Sequence, residues 1–342
     1  MAQLTEKENY FMCLRGEVPE WIPHMAADPS YKWERATAGA SPSFLMKAMD
    51  PNGDHKDIWG VEHVTSKEAG GAMIPKTWDF ILDDITKWRD VIKAPNLDEI
   101  DFEQLAKKDL EKANIDRSKQ AVQYGVAGTG YFQHLMAFMG FTEGLCALYE
   151  EPEECEELFQ YLSDFYVDVV NRSIDYYQPD IMSLVDDTAA WGNPFISVEM
   201  YEKFLLPHYK RLSDIAHDRD MFVSFHNCGK CECFVDDMVN VLGVNVWNPA
   251  QNCNDLVAIK EKYGSKFVMA GCINSSSTFQ ADLNEEQIRE IVWDVANTYA
   301  PGGGFCFMAS FIIPDPNDQK AIWKRDMVNE VMHEVSREFY KK

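Results

Sequence analysis

Residues 222–247 read FVSFHNCGKCECFVDDMVNVLGVNVW, and this stretch contains the pattern that decides the fold. A short apolar run at 222–226 is followed by a polar loop, and 233–242 then has the apolar spacing of an amphipathic helix. A second apolar run follows at 244–247. Because parallel strands are joined by a crossover that is usually a helix, this order predicts a strand–helix–strand unit.

The same alternation continues along most of the chain and predicts a (β/α)₈ barrel of the TIM type, with parallel strands inside and helices outside. An eighth strand is predicted near 58–63, which favours a closed barrel over an open sheet. The other predicted strands are 21–25, 122–127, 181–185, 222–226, 244–247, 267–271 and 305–308, and the predicted helices are 142–150, 153–172, 198–214, 233–242, 255–263 and 285–299.

The organisation of the chain predicts one domain over 1–342, since no linker, internal repeat or change of composition divides it. An amphipathic helix is expected to precede the barrel as an N-terminal extension. The stretch 50–116 is rich in glycine, proline and charge, with only a short apolar pattern. It predicts a long excursion, either a lid over the barrel mouth or a plain surface insertion.

Composition excludes several classes of protein. Of 342 residues, 46% are hydrophobic, which is ample for a large core and excludes a disordered chain. The net charge of −24 would repel nucleic acid over most of the surface. No apolar run reaches the ~18 residues of a membrane span, and the N-terminus does not have the pattern of a secretory signal, so we expect a cytoplasmic protein without a membrane partner. In that compartment the nine cysteines are expected to be free thiols, metal ligands or core residues rather than disulfides.

The segment HNCGKCEC, 226–233, is the strongest local signal for chemistry. His226 and Cys228 are two residues apart, so in an extended strand both side chains point to the same side. Imidazole and thiolate are ligands of Zn²⁺, which needs further ligands from elsewhere. The alternative is a packed or hydrogen-bonded pair at the barrel rim, and Cys231 and Cys233 are expected to be residues of the following helix.

Other reactive residues fall where predicted strands end or helices begin. Asp186 and Asp187 follow the strand 181–185, so one of them is expected to face the pocket as a ligand, base or cation partner, while the other caps or turns away. If the pair only caps a helix, neither is functional. Glu202 lies on the next predicted helix, where a solvated role is typical. Cys306 lies in an apolar strand, where cysteine behaves as a small hydrophobe.

At these residues the chain resembles the uroporphyrinogen decarboxylase superfamily, which includes methylcobamide-dependent methyltransferases. The resemblance covers nearly the whole chain, through GVAGTGYFQHLMAFMGFTEGLCALYEEPE (125–153), VDDTAAWGNPFISVEMYEKFLLPHYKRL (185–212), the segment 225–274 and GGGFCFMASFIIP (302–314). True decarboxylases of the family have an arginine-rich stretch with QAGRY that binds the substrate's carboxylates. Here the region reads EWIPHMAADPSYKWERA (20–36), so the resemblance favours the methyltransferase branch.

The resemblance implies a zinc site in which His226 is a ligand. In thiol-methylating members the ligands are His-x-Cys plus a distal cysteine, which implies Cys228, with Cys306 as the candidate near a position held by Ser310 or Phe311. In O-demethylating members two acids precede the histidine, which implies Asp187 and Glu202. The expected catalytic residues are Asp187 and His226.

The expected reaction moves a methyl group between a small methylated substrate, of the aryl methyl ether or thiol type, and a cobamide. No cobalamin-binding DxHxxG motif is present, so the resemblance implies a separate corrinoid protein as partner, in the chemistry of anaerobic one-carbon metabolism. The expected substrate contacts are Met25, Trp191, Asn227, Trp247 and Gln251. The alternative is a metal-free lyase or decarboxylase that uses Asp187 and His226 as an acid–base pair. A homodimer is compatible with the fold.

Overall fold

A seven-stranded parallel sheet forms the centre of the molecule. The structure, a computed structural model, describes residues 4–25, 31–49, 53–66, 73–126, 130–273, 278–279, 283–309, 311, 313, 315 and 317–341. The strands are β1 (Thr37–Gly39), β2 (His63–Thr65), β3 (Met73–Pro75), β4 (Ala121–Gly125), β5 (Ile181–Val185), β6 (Phe222–His226), β7 (Val246–Ala250), β8 (Val268–Gly271) and β9 (Phe305–Cys306).

Helices alternate with these strands. They are α1 (Glu6–Leu14), α2 (Trp88–Val91), α3 (Phe102–Ala113), α4 (Tyr131–Met139), α5 (Phe141–Glu150), α6 (Pro152–Tyr177), α7 (Val198–Phe204), α8 (Leu206–His217), α9 (Val235–Asn240), α10 (Leu256–Tyr263), α11 (Glu285–Tyr299) and α12 (Gln319–Phe339). Short 3₁₀ turns lie at Ser43–Met49, Ile85–Lys87, Leu97–Glu99 and Glu232–Phe234. None of the described helices is long and apolar enough to cross a membrane.

The sheet is curled like that of a TIM barrel and has seven strands among the described residues, in the order β1-β4-β5-β6-β7-β8-β9. Six of them correspond to predicted strands, and the seventh, β1, was not predicted. The predicted strand 21–25 is reduced to a single parallel bridge, which joins His24 to Phe307 directly after β9. The segment predicted as an eighth strand near 58–63 does not join the parallel sheet, and its last residue, His63, begins β2 of a separate two-stranded antiparallel sheet. The Asp57 carboxylate accepts hydrogen bonds from the backbone N–H groups of Trp59 and Val61, at 2.9 and 3.0 Å, and this curls the segment into a turn.

Residues from successive strands meet inside the curled sheet, because side chains alternate between its two faces. Ala121 and Ile181, at the starts of β4 and β5, belong to one buried cluster with Tyr10 and Cys13 of α1. Helix α1 begins at a capping box formed by Thr5 and Glu8. The predicted N-terminal helical extension therefore closes the amino ends of the strands, and the carboxyl ends remain for a site.

Part of the predicted excursion over 50–116 belongs to the helical layer that packs on the sheet. Helix α3 contributes Phe102 and Ala106 to the main core. The Trp59 ring lies within 6.4 Å of five aromatic rings of α4 and α6, and its Nε1 donates to the Tyr166 hydroxyl at 3.1 Å. The described part of the excursion is thus anchored on these helices. Residues 50–52 and 67–72 lie outside the described residues.

Candidate metal centre at the carboxyl rim

Three potential metal ligands converge where β5 and β6 end. Val185 pairs with His226 in the sheet register, so the residues that follow both strands are neighbours. Asp187, His226 and Cys228 each offer one ligand atom, and these atoms all lie within 4.8 Å of one another. The site is at the carboxyl rim of the parallel strands, where barrel enzymes hold their active sites.

The distances within this group are short. Cys228 Sγ lies 3.4 Å from His226 Nε2, and Asp187 Oδ1 lies 3.9 Å from the same nitrogen. Each side chain is partly buried, with 36% of His226 and 37% of Asp187 exposed. The three ligand atoms are therefore close to one another and open to a small molecule.

Asn248, on β7, decides which nitrogen of His226 faces the group. His226 Nδ1 lies 3.1 Å from Asn248 Oδ1, and Asn248 Nδ2 donates to Ser224 Oγ at 2.8 Å. Because Oδ1 can only accept, Nδ1 has the proton and Nε2 presents its lone pair toward Cys228 and Asp187. A second hydrogen bond of this kind is what orients histidine ligands of metals.

Asp187 and Cys228 are joined through the backbone. Asp187 Oδ1 accepts from Cys228 N at 3.0 Å, and Asp187 Oδ2 accepts from Gln133 Nε2, on α4, at 3.2 Å. Burial, and then the neighbouring Asp187 carboxylate, raise the pKa of the Cys228 thiol well above its usual range. The thiol is neutral without a cation, and a bound divalent ion would deprotonate it.

Asp186 has the structural role expected of one member of the aspartate pair. It is fully buried and accepts from Phe132 N and Gln133 N, at 3.0 and 3.1 Å, at the start of α4. The Tyr209 hydroxyl also donates to it. Burial raises the pKa of Asp186 to about 7 despite these bonds. Asp186 thus caps a helix, and Asp187 faces the rim.

The group fits a zinc ion by the chemistry of its donors. With zinc–ligand bonds of about 2.0 to 2.3 Å, tetrahedral ligands are separated by about 3 to 4 Å, and the 3.4 and 3.9 Å separations fall in this range. One imidazole, one thiol and one carboxylate are all accepted zinc ligands. Three protein ligands leave a position for a substrate or water, as in catalytic rather than structural zinc sites.

Two predicted ligands are not brought to this group. Glu202 is exposed on α7. Burial, and then the nearby Glu202 charge, raise the pKa of Asp237 on α9, so Glu202 lies on the outer helical layer. Cys306 is fully buried in one cluster with Cys13 of α1, at the closed end of the strands. Among the described residues, only Asp187 joins His226 and Cys228.

Two predicted substrate contacts are structural instead. The Trp247 side chain is fully buried against Phe267, and its Nε1 donates to the Asn227 carbonyl at 2.9 Å. The Asn227 side chain is also buried and exchanges hydrogen bonds with Thr188. The reason is alternation along the strand, because Asn248 faces inward to Ser224 and His226 and its neighbour Trp247 must face outward.

We expect the Trp247→Phe substitution to lower the free energy of unfolding by about 1–3 kcal/mol, because the Asn227 carbonyl loses a buried donor and a void remains. Zinc affinity should not change, since the indole does not reach the metal ligands. Denaturant unfolding and a competitive chelator titration measure the two quantities. Weaker zinc binding with unchanged stability would show that Trp247 acts on the site.

The remaining predicted contacts lie nearer the rim. Trp191 is 50% exposed in the tight loop bridged by Ala189 and Pro194. Gln251 Oε1 accepts from Gly229 N at 2.7 Å and so supports the loop that presents Cys228. Met25 is buried in the inner cluster of the sheet. Their contacts with a substrate remain predictions.

Sequence patterns did not reveal Gln133 as a site residue. It belongs to α4, more than 50 positions before Asp187, and nothing in its own segment indicates the contact. Asn248 stands out in the sequence as a polar residue near a strand end, but its bond to His226 depends on the β6–β7 register. Both contacts arise only when distant segments come together.

Curled parallel strands with a His–Cys–Asp group at their carboxyl rim define a TIM-barrel-like protein with a candidate metal centre. The model of the family "Uroporphyrinogen decarboxylase (URO-D)" matches residues 95–322, more than half of the chain. The chain belongs to the uroporphyrinogen decarboxylase family. Comparison with curated proteins found no match.

Among solved structures, the fold is similar to that of a methyltransferase from Methanosarcina mazei. The identity is 12% and the TM-score 0.65, with 99% of this chain and 100% of that chain covered. A sugar phosphate isomerase/epimerase from Parabacteroides distasonis has 11% identity, a TM-score of 0.33 and coverages of 93% and 99%. An endo-beta-mannanase/endo-beta-glucanase from Prevotella bryantii has 11% identity, a TM-score of 0.40 and coverages of 90% and 51%.

Proposed function

We propose that the chain is a methyltransferase that moves a methyl group between a small methyl ether or thiol-type substrate and the cobamide of a separate corrinoid protein, with zinc held by Asp187, His226 and Cys228. The observation that carries the proposal is the set of three donors at the rim, with the His226 Nε2 lone pair directed at the other two. Membership of the family and the similar fold of a methyltransferase support it.

The three ligands would hold zinc where it can bind the oxygen or sulfur atom of the substrate. When bound, zinc would act as a Lewis acid that stabilises the oxygen or sulfur released by demethylation, or lowers the pKa of a thiol that accepts the methyl group. Asn248 keeps His226 in the tautomer that presents Nε2. Gln133 orients Asp187, and the backbone N–H of Cys228 holds the other carboxylate oxygen.

The open rim suits a partner that delivers the corrinoid. The ligand atoms lie at the carboxyl ends of the strands, and Trp191 is half exposed on the adjacent loop. A reduced Co(I) centre would take the methyl group while the substrate retains the electron pair of the broken bond as an alkoxide, phenolate or thiolate. Transfer in the other direction uses the same ligands.

The decisive experiment combines metal analysis with a corrinoid assay. The purified protein should contain close to one zinc per chain, and a reduced corrinoid protein should change from the Co(I) to the methyl-Co(III) spectrum with at least one methyl ether or thioether. The proposal would be overturned if no methyl ether or thioether methylated the Co(I) corrinoid protein and no thiol demethylated the methyl-Co(III) form.

A metal-free lyase is the second outcome that the same experiment tests. His226 Nε2 and Asp187 Oδ1 are 3.9 Å apart, so both groups could exchange protons with the same bound substrate. A zinc-free protein that decarboxylates a substrate, and loses this activity in Asp187→Asn, would replace the methyltransferase by this function.

A further inference from the structure

A cavity of about 250 Å³ lies beside the candidate metal centre, between the 3₁₀ turn Ser43–Met49, the hairpin of β2 and β3, and helices α4 and α6. Gln133 lines this cavity and also donates to Asp187 Oδ2. Gln133 therefore links the wall of the cavity to one of the proposed metal ligands. The cavity is large enough for a small molecule, although slightly smaller than the ~300 Å³ of typical ligand pockets.

The charge of the cavity wall is one-sided. Its described lining has one carboxylate, that of Asp57, and neither lysine nor arginine. Methionine side chains, those of Met46, Met49 and Met73, make up much of the apolar wall together with Trp59. An anionic ligand would lose its hydration here without gaining a positive partner. The cavity therefore disfavours substrates with a carboxylate, sulfonate or phosphate.

Asp57 has one oxygen committed and one without a donor. Oδ1 accepts from the backbone N–H groups of Trp59 and Val61, at 2.9 and 3.0 Å. No described residue donates a hydrogen bond to Oδ2, which lies 4.0 Å from His63 Nε2. Only 18% of the Asp57 side chain is exposed, so water supplies little compensation.

His63 does not fill this gap when it is neutral. Its Nδ1 lies 3.1 Å from the Val61 carbonyl oxygen, which can only accept, so Nδ1 has the proton. Nε2 then presents a lone pair to the same space as Asp57 Oδ2. Two acceptors 4.0 Å apart can both be satisfied by one group with at least two N–H donors, and an ammonium group has three such donors and a positive charge.

We propose that the substrate bears an ammonium group, which binds between Asp57 Oδ2 and His63 Nε2, while its ether or thiol end reaches the metal ligands past Gln133. The substrate class is thus an amine-bearing methyl ether, thioether or thiol. The proposal rests on the proposed function for the chemistry at the metal, but the charge preference of the cavity is independent of it. Ring and thioether groups of the wall add to the attraction for a cation.

The test is ligand binding by calorimetry with charge-matched probes. The ether set is 4-methoxyphenethylamine, 4-methoxyphenethyl alcohol and 4-methoxyphenylacetate, and the thiol set is 2-aminoethanethiol, 2-mercaptoethanol and 2-mercaptoethanesulfonate. In at least one set, the cation should bind about tenfold more tightly than the neutral probe, and the anion most weakly.

The Asp57→Asn variant should abolish this preference while folding normally, because asparagine retains an Oδ1 acceptor for Trp59 N and Val61 N. The matched control is Asp54→Asn, since Asp54 is an exposed acid nearby that pairs with Lys47 at 3.5 Å. The control should retain the wild-type preference. Its loss in the control would indicate long-range attraction and overturn the proposal.

Equal binding of the three charges to the wild type, tighter binding of an anion, or no binding of any cation would also overturn it. The two proposals fail separately. Methyl transfer without a charge preference would exclude the ammonium site alone, and a charge preference without methyl transfer would exclude the methyltransferase alone.

Discussion

The His226→Ala substitution is expected to reduce the zinc content of the protein to background and methyl transfer by more than about 100-fold. Changes to residues that only support a metal ligand already cost ~10–100-fold in affinity or activity, and His226 contributes the ligand itself. Its Nε2 lies 3.4 Å from Cys228 Sγ. Without it only Cys228 and Asp187 remain, and two ligands are too few to hold zinc at this site. Elemental analysis and the corrinoid assay measure the two losses.

The matched control is Glu202→Gln, which removes a predicted ligand that lies exposed on α7. This variant should retain zinc and activity. The metal site at the rim would be refuted if His226→Ala retained full zinc content. Loss of zinc in Glu202→Gln would instead place that acid at the metal.

A second large effect is expected for Gly229→Ala. Gly229 has a φ of +86°, and an added Cβ would lie 2.4 Å from the Ala189 carbonyl oxygen and 2.7 Å from that of Ala190. Because both clashing atoms belong to the backbone, the loop has to move. The strain alone costs about 1–3 kcal/mol in the free energy of unfolding. The movement should also displace Cys228 and weaken zinc binding.

Denaturant unfolding and zinc titration test this prediction, with Gly192→Ala as control. Gly192 lies in the neighbouring loop after β5, and no atom lies within 4 Å of a Cβ placed there. Its substitution should change stability and zinc affinity very little. Equal stability of the two variants would mean that the loop at Gly229 tolerates the shift.

Local patterns in the sequence predicted the elements that surround the site. Strands 181–185 and 222–226 and the helix 285–299 are confirmed with the same bounds. The predicted helix 198–214 is two helices, α7 and α8, that meet at Leu205. Pro207 cannot donate a backbone hydrogen bond in the first turn of α8, which favours a new helix start there.

The substrate contact predicted for Trp247 was wrong because neighbouring residues of a strand face opposite sides of the sheet. His226 and Cys228 are two apart and do approach each other, as their spacing predicted. Trp247 and Asn248 are adjacent, so only one can face the site, and hydrophobic character did not indicate which. The structure turns the tryptophan into the core and gives His226 its asparagine partner.

The sequence by itself determined the class of fold, the strand ends that bear reactive groups and the pair His226–Cys228, because these depend on the period of side chains along a single segment. Only the tertiary structure decided that Asp187, rather than Glu202 or Cys306, completes the group. It also decided the tautomer of His226 and the position of Asp57 and His63 beside each other on the wall of one cavity. Such features depend on distances between segments far apart in the chain, and these are set by sheet register and helix packing rather than by local pattern.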